Sequence, residues 1–204
     1  MLKLFLPALP LLMVPSIALA GTLEVRIVDA TGKPVTDAVV TAKPASGVGR
    51  GPIRFPWGTT MTQQNISFNP RVLIVPVGAT VSFPNKDKVR HHVYSFSKPA
   101  RFELKLFSRD ETRSYTFTSP GAVALGCNIH DSMSGFIKVV DTPFAAKSNA
   151  AGQAQIANLP AGAVTVTVWH PNVRGKDNEQ VLQVPMTASG SVDRVVKLNL
   201  RAGG

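Results

Sequence analysis

Cys127-Asn128-Ile129-His130-Asp131-Ser132-Met133 places a thiol, an imidazole and a thioether on one short segment of the chain. Apolar residues alternate over residues 123–127, so a strand is expected to end at the thiol. Residues 136–140 predict a second strand after the segment. A tight loop between two strands can turn its side chains to a common centre. We therefore expect these three side chains to converge on one metal ion.

Period-two alternation continues on both sides of this loop. Nothing between residues 21 and 204 sustains a helical stripe, and Asn, Pro and Gly separate the alternating runs. The fold class predicted is therefore all-β, with an antiparallel sandwich or barrel. In the middle of the chain the predicted strands are residues 66–68, 72–75, 80–83, 92–94, 102–107, 114–117, 123–127 and 135–140.

The two ends of the chain also predict strands. Residues 23–28 and 37–42 form a predicted hairpin, followed by a loop over residues 43–59 in which Phe55 and Trp57 are expected to pack on a neighbouring surface. In the tail, turns are expected at residues 149–152 and 159–162. Strands are expected up to residue 156, over residues 164–169 and over residues 191–200.

A fourth ligand must come from outside the loop, and the candidates are His91 and His92. Strand alternation sends neighbouring side chains to opposite faces, so only one of them should bind. Cysteine and two histidines with a weak axial methionine form the ligand set of electron-transfer copper. Zinc accepts one cysteine and two histidines, but methionine is a poor zinc ligand. The remaining alternative is that Cys127 is simply a small buried apolar residue.

Residues 61–141 resemble a cupredoxin, the type 1 blue copper fold, which is a Greek-key β-sandwich. The resemblance rests on Phe68-Asn69-Pro70, on Val75 to Asn85, and on a C-x2-H-x2-M spacing like the short ligand loop of amicyanin. In such proteins the first ligand follows the loop asparagine by six residues, which corresponds to His91. The ligand is followed there by asparagine and valine, and Val93 fits the valine position. The resemblance thus implies one copper per chain at His91, Cys127, His130 and Met133. His92 departs from the family, which has asparagine there, and His170 is expected to be structural or exposed.

The segments on either side resemble the two halves of a transthyretin-like, or carboxypeptidase-regulatory-like, β-sandwich. The first half carries a hairpin pattern at Val28 to Val40, and the second carries Leu159-Pro160-Ala161-Gly162. Each half alone has too few strands to close a core. We expect residues 21–58 and 142–204 to form one discontinuous sandwich, with residues 59–141 inserted between them. The alternative is an N-terminal hairpin and a separate C-terminal domain.

Residues 1–20 read as a cleavable secretory signal, because Lys3 precedes an apolar run that ends in Ala18-Leu19-Ala20. Three prolines in that run argue against an uncleaved membrane anchor. A periplasmic or secreted protein without a membrane span after signal removal is expected. In that compartment Cys127, the single cysteine, cannot be part of an internal disulfide.

The net charge of +10 at pH 7 favours acidic protein partners or an anionic surface over nucleic acid, which an exported protein rarely meets. Basic residues outnumber acidic ones near the first ligand loop, and the alternative is that these charges only keep the protein soluble. The basic residues are Lys86, Lys88, Arg90, Lys98, Arg101, Lys105, Arg109 and Arg113, and the acidic ones are Asp87, Glu103, Asp110 and Glu111.

The predicted function is that of an exported one-electron carrier, not an enzyme, with a redox protein as its partner. The chain also resembles periplasmic proteins of the methylamine-utilisation and plastocyanin families. The resemblance to cupredoxins implies that the C-terminal histidine ligand, here His130, is the electron port. Two alternatives remain open. One is copper storage or delivery, and the other is a surface binding module in which copper is accessory.

Overall fold

Sixteen strands and one 3-10 turn make up the regular structure of residues 20–201, the part of the chain that this computed structural model describes. The all-β prediction is confirmed. The expected signal segment lies outside the described residues, apart from Ala20. Within residues 20–201, no helix is long and apolar enough to cross a membrane. In chain order the strands are β1 (Ala20–Val28), β2 (Val39–Pro44), β3 (Thr62–Gln63), β4 (Phe68–Asn69), β5 (Val72–Pro76), β6 (Ala79–Pro84), β7 (His91–Ser97), β8 (Ala100–Phe107), β9 (Thr112–Phe117), β10 (Gly121–Gly126), β11 (Ser134–Val140), β12 (Ala145–Lys147), β13 (Gln153–Pro160), β14 (Gly162–Trp169), β15 (Glu179–Met186) and β16 (Ser191–Lys197).

The central strands form a five-stranded sheet in the order β5-β11-β10-β7-β8, accompanied by the pairs β6-β9 and β3-β4. Inward side chains of these sheets enclose one core, because alternate residues of each strand are apolar. This central core consists of Met61, Phe68, Leu73, Val75, Val81, Phe83, Val93, Ala100, Phe107, Phe117, Val123, Leu125, Cys127, Met133, Ile137 and Val139.

The outer strands form two more sheets, in the orders β13-β1-β16 and β12-β2-β14-β15. Strands that precede residue 45 therefore pair with strands that follow residue 144. β1 runs antiparallel to β13 and parallel to β16. Between the two sheets lies a second core, rich in valine, which includes Leu23, Ile27, Val40, Val166 and Leu198.

Several strands differ from the sequence prediction. The expected hairpin of residues 23–28 and 37–42 does not form, because β1 and β2 lie in different sheets. β3, β12 and β15 were not predicted, β2 extends to Pro44, and β13 continues through Pro160 instead of ending at Ile156. Pro160 is tolerated because it lies at the last position of the strand, where no further ladder hydrogen bond is lost. The last strand ends at Lys197, and Leu200 makes only an isolated bridge to Val173.

One strand, β11, joins the two cores. Ile137 and Val139 point into the central core, whereas Phe136 and Val140 point the other way and pack in a third cluster with Trp169 of β14. Lys138 reaches Glu179 at 2.7 Å beside the Trp169 ring. The strand that follows the Cys127–Met133 loop is therefore held on both faces.

The loop before β3 packs on the same region, as the sequence predicts. Phe55 stacks on Trp57 with ring centroids 4.7 Å apart. The indole N–H of Trp57 donates to the carbonyl of Ile74 at 2.8 Å. Phe55 also contacts the cluster around Trp169.

His170 follows this cluster and is buried. Its Nδ1 accepts a hydrogen bond from the Asn172 backbone N–H at 3.3 Å, which requires the neutral imidazole. Burial, and then the nearby charge of Arg71, lower the pKa of His170. This histidine is structural, as expected.

Lowering the pH from about 7.5 to about 5.5 should destabilise the metal-free protein in part through His170. As the pH falls below about 6.5, the unfolded chain takes up the proton before the folded one, so the stabilising contribution is lost toward the lower folded-state pKa. Between the two pH values, the free energy of unfolding measured with denaturant should fall less for His170→Asn than for the unaltered protein. Arg71→Gln should give an intermediate loss, and equal losses in His170→Asn and the unaltered protein would contradict this account.

Candidate metal centre

Cys127 directly follows β10 and is 3% exposed. β10 and β11 are paired from Gly121 opposite Val139 to Gly126 opposite Ser134, so the loop between them has a fixed entry and exit. Within the loop, the Met133 N–H donates to the His130 carbonyl at 2.9 Å. This turn places Cys127, His130 and Met133 close to the end of one strand pair.

His91 starts β7, pairs with Phe107 of β8 and is completely buried. Its Nδ1 lies 3.8 Å from Cys127 Sγ, and Nδ1 of His130 lies 3.5 Å from the same sulfur. The donor atoms of these three residues all lie within 4.8 Å of one another.

These separations fit a bound metal ion. Donors at about 2.0–2.3 Å from an ion in a trigonal plane lie about 3.5–3.8 Å from one another. The measured sulfur to nitrogen distances of 3.5 and 3.8 Å match this geometry. One cysteine sulfur and two imidazole nitrogens therefore lie where they could bind a single ion.

Asp87 orients the His91 ring. Its Oδ2 lies 2.8 Å from His91 Nε2, and its carboxylate also accepts hydrogen bonds from the backbone N–H groups of Asn65 and Ile66. Burial raises the pKa of Asp87, but the hydrogen bonds from Ile66, His91 and Asn65 outweigh it and leave the pKa lowered. An ionised carboxylate can only accept, so Nε2 donates, and the lone pair of Nδ1 faces Cys127.

Asn85 fixes the loop that carries both residues. Its side-chain amide is buried and donates to the carbonyls of Val89 and Phe107 at 2.9 and 3.2 Å, and its oxygen accepts from the Asp87 N–H. A fully satisfied buried amide of this kind locks backbone geometry. The sequence identified Asn85 by its position in a motif, but Asp87 was named only among the acidic residues near the first ligand loop. The spacing of four residues between Asp87 and His91 was the available signal.

Met133 lies in the same core as Cys127 and is 2% exposed. Two residues later, Gly135 faces Phe68, and a Cβ at this glycine would lie 2.9 Å from the Phe68 Cβ. Glycine is therefore needed for Phe68 to pack beside the end of the loop.

His92 points to the opposite face of β7. Its Nε2 lies 2.8 Å from Glu103 Oε1, and its buried Nδ1 has no hydrogen-bond partner among residues 20–201. Of the four histidines, His91 and His130 converge on Cys127, whereas His92 and His170 do not.

Neither protein-family models nor curated proteins match this chain. Solved structures do match it in part. A purple cupredoxin from Nitrosopumilus maritimus is 21% identical, with 41% of this chain and 100% of that chain covered and a TM-score of 0.38. A reduced mutant of amicyanin is 23% identical over 51% of this chain and 99% of its own, with a TM-score of 0.38. A copper-containing nitrite reductase from Thermus scotoductus is 27% identical over 57% of this chain, with a TM-score of 0.40, and the chain spans only 28% of that protein.

Cadmium, a soft and redox-inert ion, should protect Cys127 from alkylation in the native protein. Asp87→Ala should weaken cadmium binding by about tenfold, because a metal-bound histidine loses its orienting carboxylate. Glu103→Ala is the matched control, since it removes the carboxylate beside His92 instead. Alkylation at increasing cadmium concentrations, followed by mass spectrometry, measures the protection of Cys127 and hence the cadmium affinity of each variant. Equal weakening by the two substitutions would contradict the role assigned to Asp87.

Proposed function

We propose that the chain is a copper protein that carries single electrons, with copper held by His91, Cys127, His130 and Met133. The observation that supports this most strongly is the convergence of one sulfur and two Nδ1 atoms at 3.5 and 3.8 Å in a buried site. The thioether of Met133 follows on the same loop.

The donor set favours copper over zinc. Thiolate and thioether are soft ligands that suit Cu(I), and two imidazoles suit both oxidation states. A structural zinc site would need a fourth donor such as cysteine, histidine or a carboxylate. Among the described residues, the three-member cluster contains no such fourth donor.

Copper bound in this site would supply a Cu(I)/Cu(II) couple. The residues of the chain supply rigidity: His91 is held by Asp87, Cys127 is fixed at a strand end, and Met133 is buried in the core. A fixed ligand set changes little between oxidation states, which suits repeated transfer of one electron. Burial of His91, Cys127 and Met133 also keeps water away from the centre. We infer a carrier and not an enzyme, because the ligand set leaves no evident position for a substrate.

The surface beside His130 suits a protein partner. His130 is partly exposed, and three exposed aliphatic side chains, Ile66, Val89 and Ile129, lie on the three loops that build the site. We call these three residues the apolar end patch. Lys88 and Arg90 flank Val89, are exposed and have no salt bridge among residues 20–201. An acidic redox protein fits this combination of apolar contact and positive charge.

The outer sheets support the proposed domain arrangement. Because β1 pairs with β13 and β16, and β2 pairs with β12 and β14, the two ends of the chain share sheets. We propose that residues 21–58 and 142–204 form a transthyretin-like sandwich around an inserted cupredoxin domain, residues 59–141. We also propose that the protein is exported to the periplasm or secreted, and that residues 1–20 are cleaved.

The purified protein should bind one copper per chain and show the intense visible absorption of a copper–thiolate bond when oxidised. His91→Ala should abolish the band, Cys127→Ser should do the same, and His92→Ala should keep it, because of these two neighbouring histidines only His91 faces the sulfur. Metal analysis measures the copper content of each protein, and absorption spectra measure the visible band. A colourless oxidised form at full copper occupancy would reject the assignment. Loss of the band in His92→Ala but not in His91→Ala would move the ligand by one residue.

Met133→Gln should retain copper and the visible band but lower the reduction potential. An amide oxygen is a harder ligand than a thioether and favours Cu(II), and weak axial ligands tune potential without providing most of the binding. Voltammetry of the substituted and unaltered proteins measures the shift. An unchanged spectrum together with an unchanged potential would show that Met133 is a packing residue.

A further inference from the structure

A row of aromatic side chains runs along the outward face of β7. His92, Tyr94 and Phe96 alternate along the strand, so all three lie on the face opposite to His91. The ring centroids of His92 and Tyr94 are 5.8 Å apart, and those of Tyr94 and Phe96 are 5.2 Å apart. Phe96, at the far end of the row, is 77% exposed.

Tyr94 links this row to the metal centre. It is the cross-strand partner of Gly126, the residue bonded to Cys127. A Cβ at Gly126 would lie 2.7 Å from Tyr94 Cζ and 2.8 Å from its hydroxyl oxygen, so only glycine leaves room for the ring. The aromatic row therefore contacts the backbone directly next to the thiolate ligand.

Three exposed cations flank the row. Arg101 is the cross-strand partner of Phe96, Lys98 follows β7 beyond Phe96, and Lys105 lies on β8 toward the His92 end of the row. None of the three has a salt bridge among the described residues. One acidic residue, Glu103, lies between Arg101 and Lys105 and is bonded to His92. Three cations against one carboxylate leave this face with a net positive charge.

The rest of this sheet surface is already covered. Val72, Ile74 and Phe136, on strands β5 and β11, pack beneath Trp169. The outer surface of β10, β7 and β8 is the portion left open, and it carries Ala124 and Phe96 exposed. An exposed aromatic contiguous with other aromatic rings and rimmed by charge is typical of a protein contact surface.

We propose that the face defined by Tyr94, Phe96, Arg101 and Lys105 is a second docking and electron-exchange surface for an acidic redox protein. It is separate from the apolar end patch, and it rests on the proposed electron-carrier function. Copper held by His91, Cys127, His130 and Met133 would supply one electron to the oxidised centre of the partner, passing from Cu(I) to Cu(II) with no proton or bond exchanged. Ring contacts from Gly126 to Phe96 shorten the gaps that the electron must cross, and the cations raise the encounter rate with an acidic partner.

Anion binding tests the surface without any electron transfer. Hexacyanochromate(III) is an inert paramagnetic trianion that broadens amide NMR signals near its binding sites. With the full-length Cu(I) protein, or the cadmium form, it should broaden the amides of Phe96, Arg101 and Ala124. Arg101→Glu/Lys105→Glu should remove this broadening. Broadening confined to residues 86–90 and 128–131 would overturn the proposal.

Electron exchange is then measured by stopped-flow oxidation of the Cu(I) protein with hexacyanoferrate(III). Arg101→Glu/Lys105→Glu should slow the reaction by about threefold or more at low ionic strength, and high salt should remove the difference. Lys88→Glu/Arg90→Glu reverses as many charges at the apolar end patch and should slow the reaction as well, because that patch is the other docking surface. In that background Tyr94→Leu should slow the reaction further, and Tyr94→Phe should restore the rate.

Rates for Arg101→Glu/Lys105→Glu and Tyr94→Leu that equal the rate of the unaltered protein would overturn the second surface. All variants should keep the visible band and the reduction potential, since none changes a ligand. If the unaltered protein itself lacked the band, the proposed function would fail. The NMR experiment on the cadmium form would still decide whether this face binds anions.

Discussion

The hydrogen bond between Asp87 and His91 is the interaction on which the metal centre depends. Nε2 of the imidazole donates this bond, so the lone pair of Nδ1 is directed at the thiol of Cys127. The carboxylate is itself held by two backbone N–H groups, from Asn65 and Ile66, both of which have positive φ. Ile66 is β-branched, and such residues rarely adopt this conformation. The bonds to Asp87 hold this turn in place, and the same carboxylate fixes the ligand.

The second constraint is the strand that leaves the ligand loop. β11 contributes Ile137 and Val139 to the central core and presents Phe136 and Val140 to Trp169. A strand packed on both faces cannot shift along its axis without disrupting two clusters. The outer sheets thus stiffen the loop that carries Cys127, His130 and Met133. This gives the outer sheets a structural contribution to the site.

Many of the strands and the loop of residues 127–133 could be predicted from the alternation of apolar residues and from the spacing of cysteine, histidine and methionine. Strands such as β1 and β14 have clear period-two patterns, and the C-x2-H-x2-M spacing identified the loop. β15 escaped prediction because Glu179–Met186 alternates weakly and contains Pro185, a residue that normally argues against a strand. The parallel pairing of β1 with β16 joins residues far apart in the chain, which local patterns do not encode. Asp87 and Tyr94 were missed as neighbours of the site for a similar reason, because their roles arise from contacts with His91 and across strands with Gly126.

The central claim is that the chain holds copper in one geometry through a one-electron cycle. X-ray absorption spectroscopy of the copper-loaded protein in both oxidation states tests this most directly. The account predicts one short copper–sulfur bond and two histidine nitrogens in the oxidised and the reduced protein alike, with only small changes in bond length. Loss of a histidine on reduction, or a newly bound oxygen ligand in the oxidised state, would contradict it.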